Sequence, residues 1–346
     1  MQLFRIMPCR YSSLEATIEG YRRTGVPLVS YNDPCNFKGY GPSMISDDLG
    51  SYFIIPKIVE FFGLSLDASI QLLYTGSVIL AFIAGALGSW FYCKTTLGKL
   101  ISILALALLS AVMAGIGDYY IFMGVVPMAF IPWYLYLEDR GKVKASFVYF
   151  AIMGLLIGSA HLIRSHSGTS VLIFVSLSLL LTKQYSKKVK LAFVVIILMG
   201  MSMVFTGFDK VMEQRVAFLK SIDSPHDPEG IRARWHNLYY SLGYLYNFHA
   251  FEGWTDGPGH EPSDTYSVRK ALSIKPDVIL YSSDYEELLK TEYFKFVKNH
   301  PFFIIQTFFA KFGVLLMYVL LFMNVGLILS FYYLKKAESK AMDIEA

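Results

Sequence analysis

The chain has 346 residues, of which 54% are hydrophobic and only 17% are charged, whereas soluble domains carry about 25% charged residues. Water is therefore a poor solvent for much of its surface, and the composition predicts an integral membrane protein. A net charge of +4 does not indicate a nucleic-acid partner, and the lysines fall in short clusters between apolar runs. The cysteines, Cys9, Cys35 and Cys93, have no metal-binding spacing and are too few for a disulfide framework.

Seven mostly apolar runs are long enough to cross a hydrocarbon core of about 30 Å. They cover residues 68–92, 98–116, 119–137, 146–162, 168–182, 189–207 and 312–334. The sequence thus predicts an all-α polytopic membrane protein with about seven transmembrane helices and a mainly helical external cap segment.

Cationic clusters follow every second run, and cytoplasmic loops are enriched in Lys and Arg. The clusters are Lys94/Lys99, Arg140/Lys142/Lys144, Lys183/Lys187/Lys188/Lys190 and Lys335/Lys336/Lys340. The pattern predicts a multi-pass plasma (inner) membrane protein with a cytoplasmic C-terminus. The alternate turns and two long segments, 1–67 and 208–311, are expected on the periplasmic or extracellular side.

Four regions follow from this pattern. They are an external first-loop region (1–67) with an acidic motif and an interfacial helix at 52–62, a six-helix transmembrane bundle (68–207), an external cap (208–311), and the last span with a cytoplasmic tail (312–346). Helices are expected in the cap at 209–222, 230–247 and 284–299, and an aromatic-rich stretch at 300–311 along the membrane interface. We also expect a further transmembrane helix before Met1, since the exported first loop has no apolar signal-peptide core.

Two adjacent carboxylates, Asp47 and Asp48, directly precede the expected interfacial helix. One of them can take a proton from a substrate hydroxyl as a general base. The alternative is a helix cap, with Ser46 or Asp47 satisfying the free amides of a helix that begins near Leu49. Asp118 lies in an external turn between two runs, where a carboxylate close to hydrocarbon is costly unless it is paired or functional; it too can be a cap. The three aspartates are the candidate catalytic residues.

Two groups of basic side chains are candidate substrate- and phosphate-binding residues. They are His161, Arg164 and His166 at the next external turn, and Arg232, Arg234 and His236 in the cap. Arg and His hold phosphate through charge-assisted hydrogen bonds, and the aromatic rings near the second group can stack on sugars. The alternative in both cases is anchoring at the membrane interface by a snorkelling arginine or an aromatic belt.

Several chemistries lack their sequence marks. No histidine pair has metal-ligand spacing, and no P-loop, Rossmann glycine fingerprint or G-x-S-x-G elbow is present. The energy for any reaction must therefore come from the substrate itself or from a gradient.

These features resemble the GT-C class of polytopic membrane glycosyltransferases, and a bacterial member in particular. Asp47-Asp48 resembles the acidic motif of the family's first external loop, which precedes a helix on the membrane surface, and Asp118 resembles the second acidic position. Lys298-Asn-His300-Pro301-Phe-Phe resembles a stretch found in bacterial members before late spans. The second acidic site is a lone Asp rather than D-x-D, and the missing W-W-D motif argues against N-glycan transfer.

The resemblance implies transfer of a sugar from a polyprenyl-phosphate donor to a glycan, lipid or protein acceptor. It implies Asp47 or Asp48 as general base and Arg164, Arg232 or Arg234 as stabiliser of the departing phosphate, with no certain cofactor and a divalent metal left open. Two alternatives remain. One is an O-antigen-type polymerase or ligase that uses Arg232, Arg234 and His236; the other is a transporter or flippase of lipid-linked sugars, for which charged or broken helices at mid-membrane are expected.

Overall fold

The computed structural model of the protein describes residues 8–32, 39–43, 49–116, 129–163, 169–181, 185–224, 234–242, 264–313 and 316–317. These residues are mostly helical, with one antiparallel pair of short strands among them. Three of the described helices, Leu66–Tyr92, Val143–Ile163 and Lys187–Ser221, are long and apolar enough to cross a membrane. The predicted helical fold is confirmed for the described residues, and the three apolar helices are consistent with a membrane protein; the count of seven spans and the cap segment stay predictions.

The elements in chain order are α1 (Pro8–Thr24), β1 (Val29–Tyr31), β2 (Tyr40–Pro42), α2 (Leu49–Phe62), α3 (Leu66–Tyr92), α4 (Thr96–Ile116), α5 (Ile131–Asp139), α6 (Val143–Ile163), α7 (Thr169–Leu181), α8 (Lys187–Ser221), α9 (Arg234–Ser241), α10 (Asp264–Ile274), α11 (Ser283–Asn299) and α12 (301–313). Five of the seven apolar runs coincide with helices. The first part of the run 119–137 and nearly all of the run 312–334 lie outside the described residues. The chain forms two compact units, Met1–Arg232 and Ala233–Ala346.

Helices α6 and α8 of the first unit pack through glycine. A Cβ added at Gly154 would lie 2.5 Å from the Ile197 carbonyl oxygen, and one at Gly200 would lie 3.0 Å from the Gly154 Cα. A Cβ at Gly158 would lie 3.1 Å from the Met201 Cα. Membrane helices have no hydrophobic driving force toward each other in lipid, so close packing at small residues holds such pairs together. We call this contact the glycine seam.

Helix α8 is longer than a membrane-spanning segment needs to be. Its 35 residues extend over about 52 Å at 1.5 Å per residue, against a hydrocarbon core of about 30 Å. The expected span 189–207 and the expected external helix 209–222 are thus one continuous helix, and the expected boundary after residue 207 falls inside it. The helix begins where the Ser186 side chain accepts a hydrogen bond from the Val189 amide.

Helices α1 and α2 and the β1–β2 hairpin form an N-terminal module that packs on one end of the bundle. The strands pair in the register Val29 with Pro42 and Tyr31 with Tyr40. The shared apolar cluster includes Leu14, Ile18, Leu28, Tyr52, Ile55, Val59, Ile70, Tyr74, Ala160, Ile163 and Phe208. The start of α3, the end of α6 and the middle of α8 therefore meet in this module. The expected interfacial helix is α2, which begins at Leu49 and buries one face in the cluster.

Three of the four cationic clusters have described residues at the other end of the bundle. Lys94, after α3, has its Nζ 3.8 Å from the Asp139 Oδ2 at the end of α5. The Ser146 hydroxyl in α6 is 3.2 Å from the Tyr185 hydroxyl, just before α8. We call this the cationic end. One end of the first unit therefore carries the N-terminal module, and the other carries the cationic loops.

The second unit has its own small core, built from α9 to α12. The buried members of its apolar cluster are Tyr239, Leu242, Ala271, Val278, Tyr285, Leu289, Phe296 and Phe303. Helix α11 begins where the Ser282 side chain accepts a hydrogen bond from the Tyr285 amide, and its first turn carries Asp284 and Glu286, as suits a helix N-terminus. The sequence pattern had not indicated α1, the hairpin or α10.

Candidate functional site

Three of the nine candidate residues fall in the part of the chain that the structure describes: His161, Arg234 and His236. The other six, Asp47, Asp48, Asp118, Arg164, His166 and Arg232, lie outside the described residues.

The described residues that flank the acidic motif and the first basic group touch each other. A Cβ added at Gly50 in α2 would lie 2.8 Å from the Leu162 carbonyl carbon and 2.9 Å from the Ile163 amide nitrogen, so only glycine permits this approach. Gly50 comes two residues after Asp48, and Ile163 directly precedes Arg164. The first turn of α2 is thus pressed against the last turn of α6.

His161 occupies the same last turn of α6 and is partly exposed. Its ring lies edge-on to Phe205 of α8, with 5.5 Å between the ring centroids. The residue before it, Ala160, is a buried member of the apolar cluster of the N-terminal module. His161 is the described member of the first basic group.

Arg215 in α8 was missed in the sequence, although its side chain is completely buried. Phe208, Arg215 and Leu219 are the buried residues along this part of the helix, and the next turn brings Phe218 into edge contact with Tyr40 of β2. A guanidinium stays charged at any ordinary pH, and proteins bury charges only against compensating groups. The signal in the sequence is an Arg in an apolar stripe at spacings of seven and four residues.

Arg234 and His236 stand in different surroundings within the second unit. Arg234 begins α9 and is exposed, whereas His236 is only 3% exposed. The His236 Nδ1 is 2.6 Å from the Tyr285 hydroxyl oxygen, and the Ser267 hydroxyl donates to the His236 carbonyl oxygen. The structure therefore places the His236 ring in the core, away from the surface on which Arg234 lies.

Glu286 of α11 reaches the N-terminus of α9. One carboxylate oxygen accepts from the Trp235 amide at 2.7 Å, and the other accepts from the His236 amide at 3.1 Å. These amides have no partner within their own helix, so an acceptor from another helix satisfies them. Burial raises the pKa of Glu286, and the amide hydrogen bonds oppose that rise without cancelling it.

A shallow groove of about 380 Å³ runs along α8 and is lined by Asp209, Met212, Glu213, Val216 and Ala217. Its two carboxylates are four residues apart and share one face of the helix. Among the residues that the structure describes, no three His, Cys, Asp or Glu side chains come together as metal ligands.

Comparison with known proteins adds no further identification. No protein-family model matches the chain, and no curated protein or solved structure is significantly similar to it.

Proposed function

We propose that the protein is a membrane glycosyltransferase that moves a sugar from a polyprenyl-phosphate donor to a glycan, lipid or protein hydroxyl on the non-cytoplasmic side of the membrane. In this proposal Asp47 or Asp48 is the general base. The observation that carries it is the close contact of Gly50 with Leu162 and Ile163.

This contact matters because consecutive Cα atoms are about 3.8 Å apart. Asp48 is two chain steps from Gly50, and Arg164 is one step from Ile163. The acidic motif and the basic turn are therefore each joined within two chain steps to residues that touch each other. A base and a cation that start so close together suit a reaction in which a hydroxyl loses a proton while a phosphate departs.

The grouping of loops supports the proposed sidedness. Lysine- and arginine-rich loops favour the cytoplasm, and the contacts of Lys94 and Tyr185 gather these loops at the cationic end. The N-terminal module packs on the opposite end of α3 and α6. In this proposal the module then faces the non-cytoplasmic side.

The proposed reaction is one displacement. An aspartate takes the proton of the acceptor hydroxyl, the acceptor oxygen attacks the anomeric carbon, and the bond from that carbon to the phosphate oxygen breaks with inversion. The lipid phosphate leaves with the bonding electron pair, and Arg164 stabilises its charge. The donor ester supplies the driving force, which agrees with the missing nucleotide motifs.

The test is sugar transfer by the purified protein in lipid vesicles, with a panel of labelled polyprenyl-phosphate sugars. Asp47→Asn, Asp48→Asn and the double variant are compared with Glu60→Gln, an exposed carboxylate of α2 that is paired with Arg22. Removal of a general base typically costs about 10²-fold or more, so the double variant should lose transfer at least to that extent while Glu60→Gln keeps it.

Full transfer by the folded double variant would contradict the proposed base, and no transfer from any donor by the unaltered protein would contradict the proposed function. A polymerase or ligase of the O-antigen type would show the opposite pattern, with loss in Arg232→Ala and Arg234→Ala and no response to the aspartate variants.

A further inference from the structure

Helix α12 has two unlike faces. Phe303 and Thr307 are buried in the second unit, with 6% and 5% of their surface exposed, and the Lys311 Nζ donates to the Ser241 carbonyl oxygen. The Phe303 ring packs edge-on against Phe296 of α11, 5.6 Å between centroids. The opposite face, which we call the outer face, consists of Phe302, Ile305, Phe308, Phe309 and Phe312, exposed by 80%, 52%, 64%, 72% and 62%.

The exposed surface of the neighbouring helices is of another kind. It carries the ion pairs Lys275–Asp284 and Lys290–Glu287, each at 2.9 Å. Exposed ion pairs of this type are hydrated. A contiguous row of phenylalanines beside them does not belong to a water-exposed surface and marks an interaction site.

The occupant follows from how α12 is attached. Its inner face is fixed to α11 at Phe303 and to the end of α9 at Lys311, so the helix lies along an ion-paired unit for its whole length. The exposed ion pairs are stable in contact with water, whereas the apolar side chains of the outer face are more stable in an apolar medium. A helix with these two demands lies in the plane of a membrane surface, with its apolar face at the boundary of headgroups and acyl chains.

We propose that the outer face of α12 docks into the surface of a lipid bilayer and seats the second unit on the membrane. The sequence agrees, because the apolar run 312–334 begins where α12 reaches Phe312 and leads the chain into the hydrocarbon. Lys298 at the end of α11 is exposed and attracts anionic headgroups. The outer face should lie about 5–10 Å into the interface, whatever reaction the first unit catalyses.

The experiment is depth measurement by nitroxide labels on the full chain in vesicles of neutral and anionic lipid. In a background with Cys9, Cys35 and Cys93 replaced, single cysteines at Phe302, Ile305, Phe309 and Phe312 report on the outer face. Thr291→Cys, exposed on α11, is the matched control for water. Collisions with oxygen and with a water-soluble nickel complex give the depth of each label.

The expected result is that the four outer labels are reached by oxygen, shielded from nickel and equal in depth, while the label at residue 291 is reached by nickel. A graded depth would overturn the proposal, since ten residues of a spanning helix rise about 15 Å. Labels reached by nickel as readily as residue 291 would also overturn it. So would labels shielded from both reagents, because they would indicate a protein partner or a second copy on this face.

Discussion

The glycine seam and the core of the second unit hold helices together by different interactions. In the seam, Gly154 and Gly200 bring two apolar helices into backbone contact. In the second unit, Glu286 satisfies the amides that begin α9, and the His236 ring is buried against Tyr285. In lipid there is no hydrophobic driving force for helices to associate, so close van der Waals packing holds α6 and α8 together. In the second unit, buried hydrogen-bonding groups must find partners, so the contacts of Glu286 and Tyr285 fix the position of α9.

The largest effect is expected at the seam. Gly200→Val places a branched side chain where a single Cβ would already lie 3.0 Å from the Gly154 backbone, and overpacking typically costs about 1–3 kcal/mol. Thermal unfolding in detergent should show a clearly lowered midpoint. Gly207→Val, on the same helix with no atom within 4 Å of the added Cβ, is the matched control. Equal midpoints for the two variants would contradict the seam.

A smaller and local effect is expected in the second unit. Glu286→Ala removes the acceptor of the Trp235 and His236 amides, and each buried group left unsatisfied costs about 1–3 kcal/mol. Hydrogen exchange of the α9 peptide should therefore accelerate by about 30-fold for a loss of 2 kcal/mol. Glu286→Gln keeps an oxygen at the site and should accelerate exchange less. Unchanged protection in Glu286→Ala would mean that the contact does not hold α9.

The pH dependence of this contact follows from the raised pKa of Glu286. The folded unit binds this proton more tightly than the unfolded chain, so the contribution of Glu286 to stability is fully present below the ordinary pKa of 4.5 and is lost as the pH rises through the raised pKa. Over this window the free energy of unfolding should fall in the unaltered protein relative to Glu286→Gln, which lacks the titrating group. A wild-type curve that rises over the same window, relative to the variant, would reverse the assigned sign.

The smallest effect is expected one residue further along α11. Glu287 pairs with Lys290 at 2.9 Å, but both side chains are well exposed, and such pairs contribute about 0–1 kcal/mol. Glu287→Gln should leave the exchange rate of α9 unchanged. A change as large as that in Glu286→Ala would show that charge in general, rather than the capping carboxylate, stabilises α9.

The long helices were predictable from the sequence because their apolar runs are uniform. The runs 68–92, 146–162 and 189–207 all fall on helices, and the helix expected to begin near Leu49 is α2. The continuity of α8 was not predictable. Near Asp209 the residues change from apolar to charged, which predicts the end of a membrane span, but charged residues are also good helix formers and the helix continues.

The candidate site was less predictable because side-chain burial depends on tertiary contacts. His236 and Arg234 are close in sequence, yet one ring is buried against Tyr285 and the other side chain is exposed. Arg215 looks like part of a charged stretch until the packing of α8 shows that it faces inward. Contacts between residues far apart in the chain, such as Gly50 with Leu162, are not visible in the sequence except as the glycine that permits them.

The central claim, that the acidic motif and the basic turn share one site, is tested most directly by cross-linking. In the background without native cysteines, Asp48→Cys with Arg164→Cys should be joined in high yield by a short bifunctional thiol reagent in vesicles. Asp48→Cys with Ser186→Cys, at the cationic end, should not be joined. Efficient cross-linking of the control pair, or none of the first pair, would contradict the shared site.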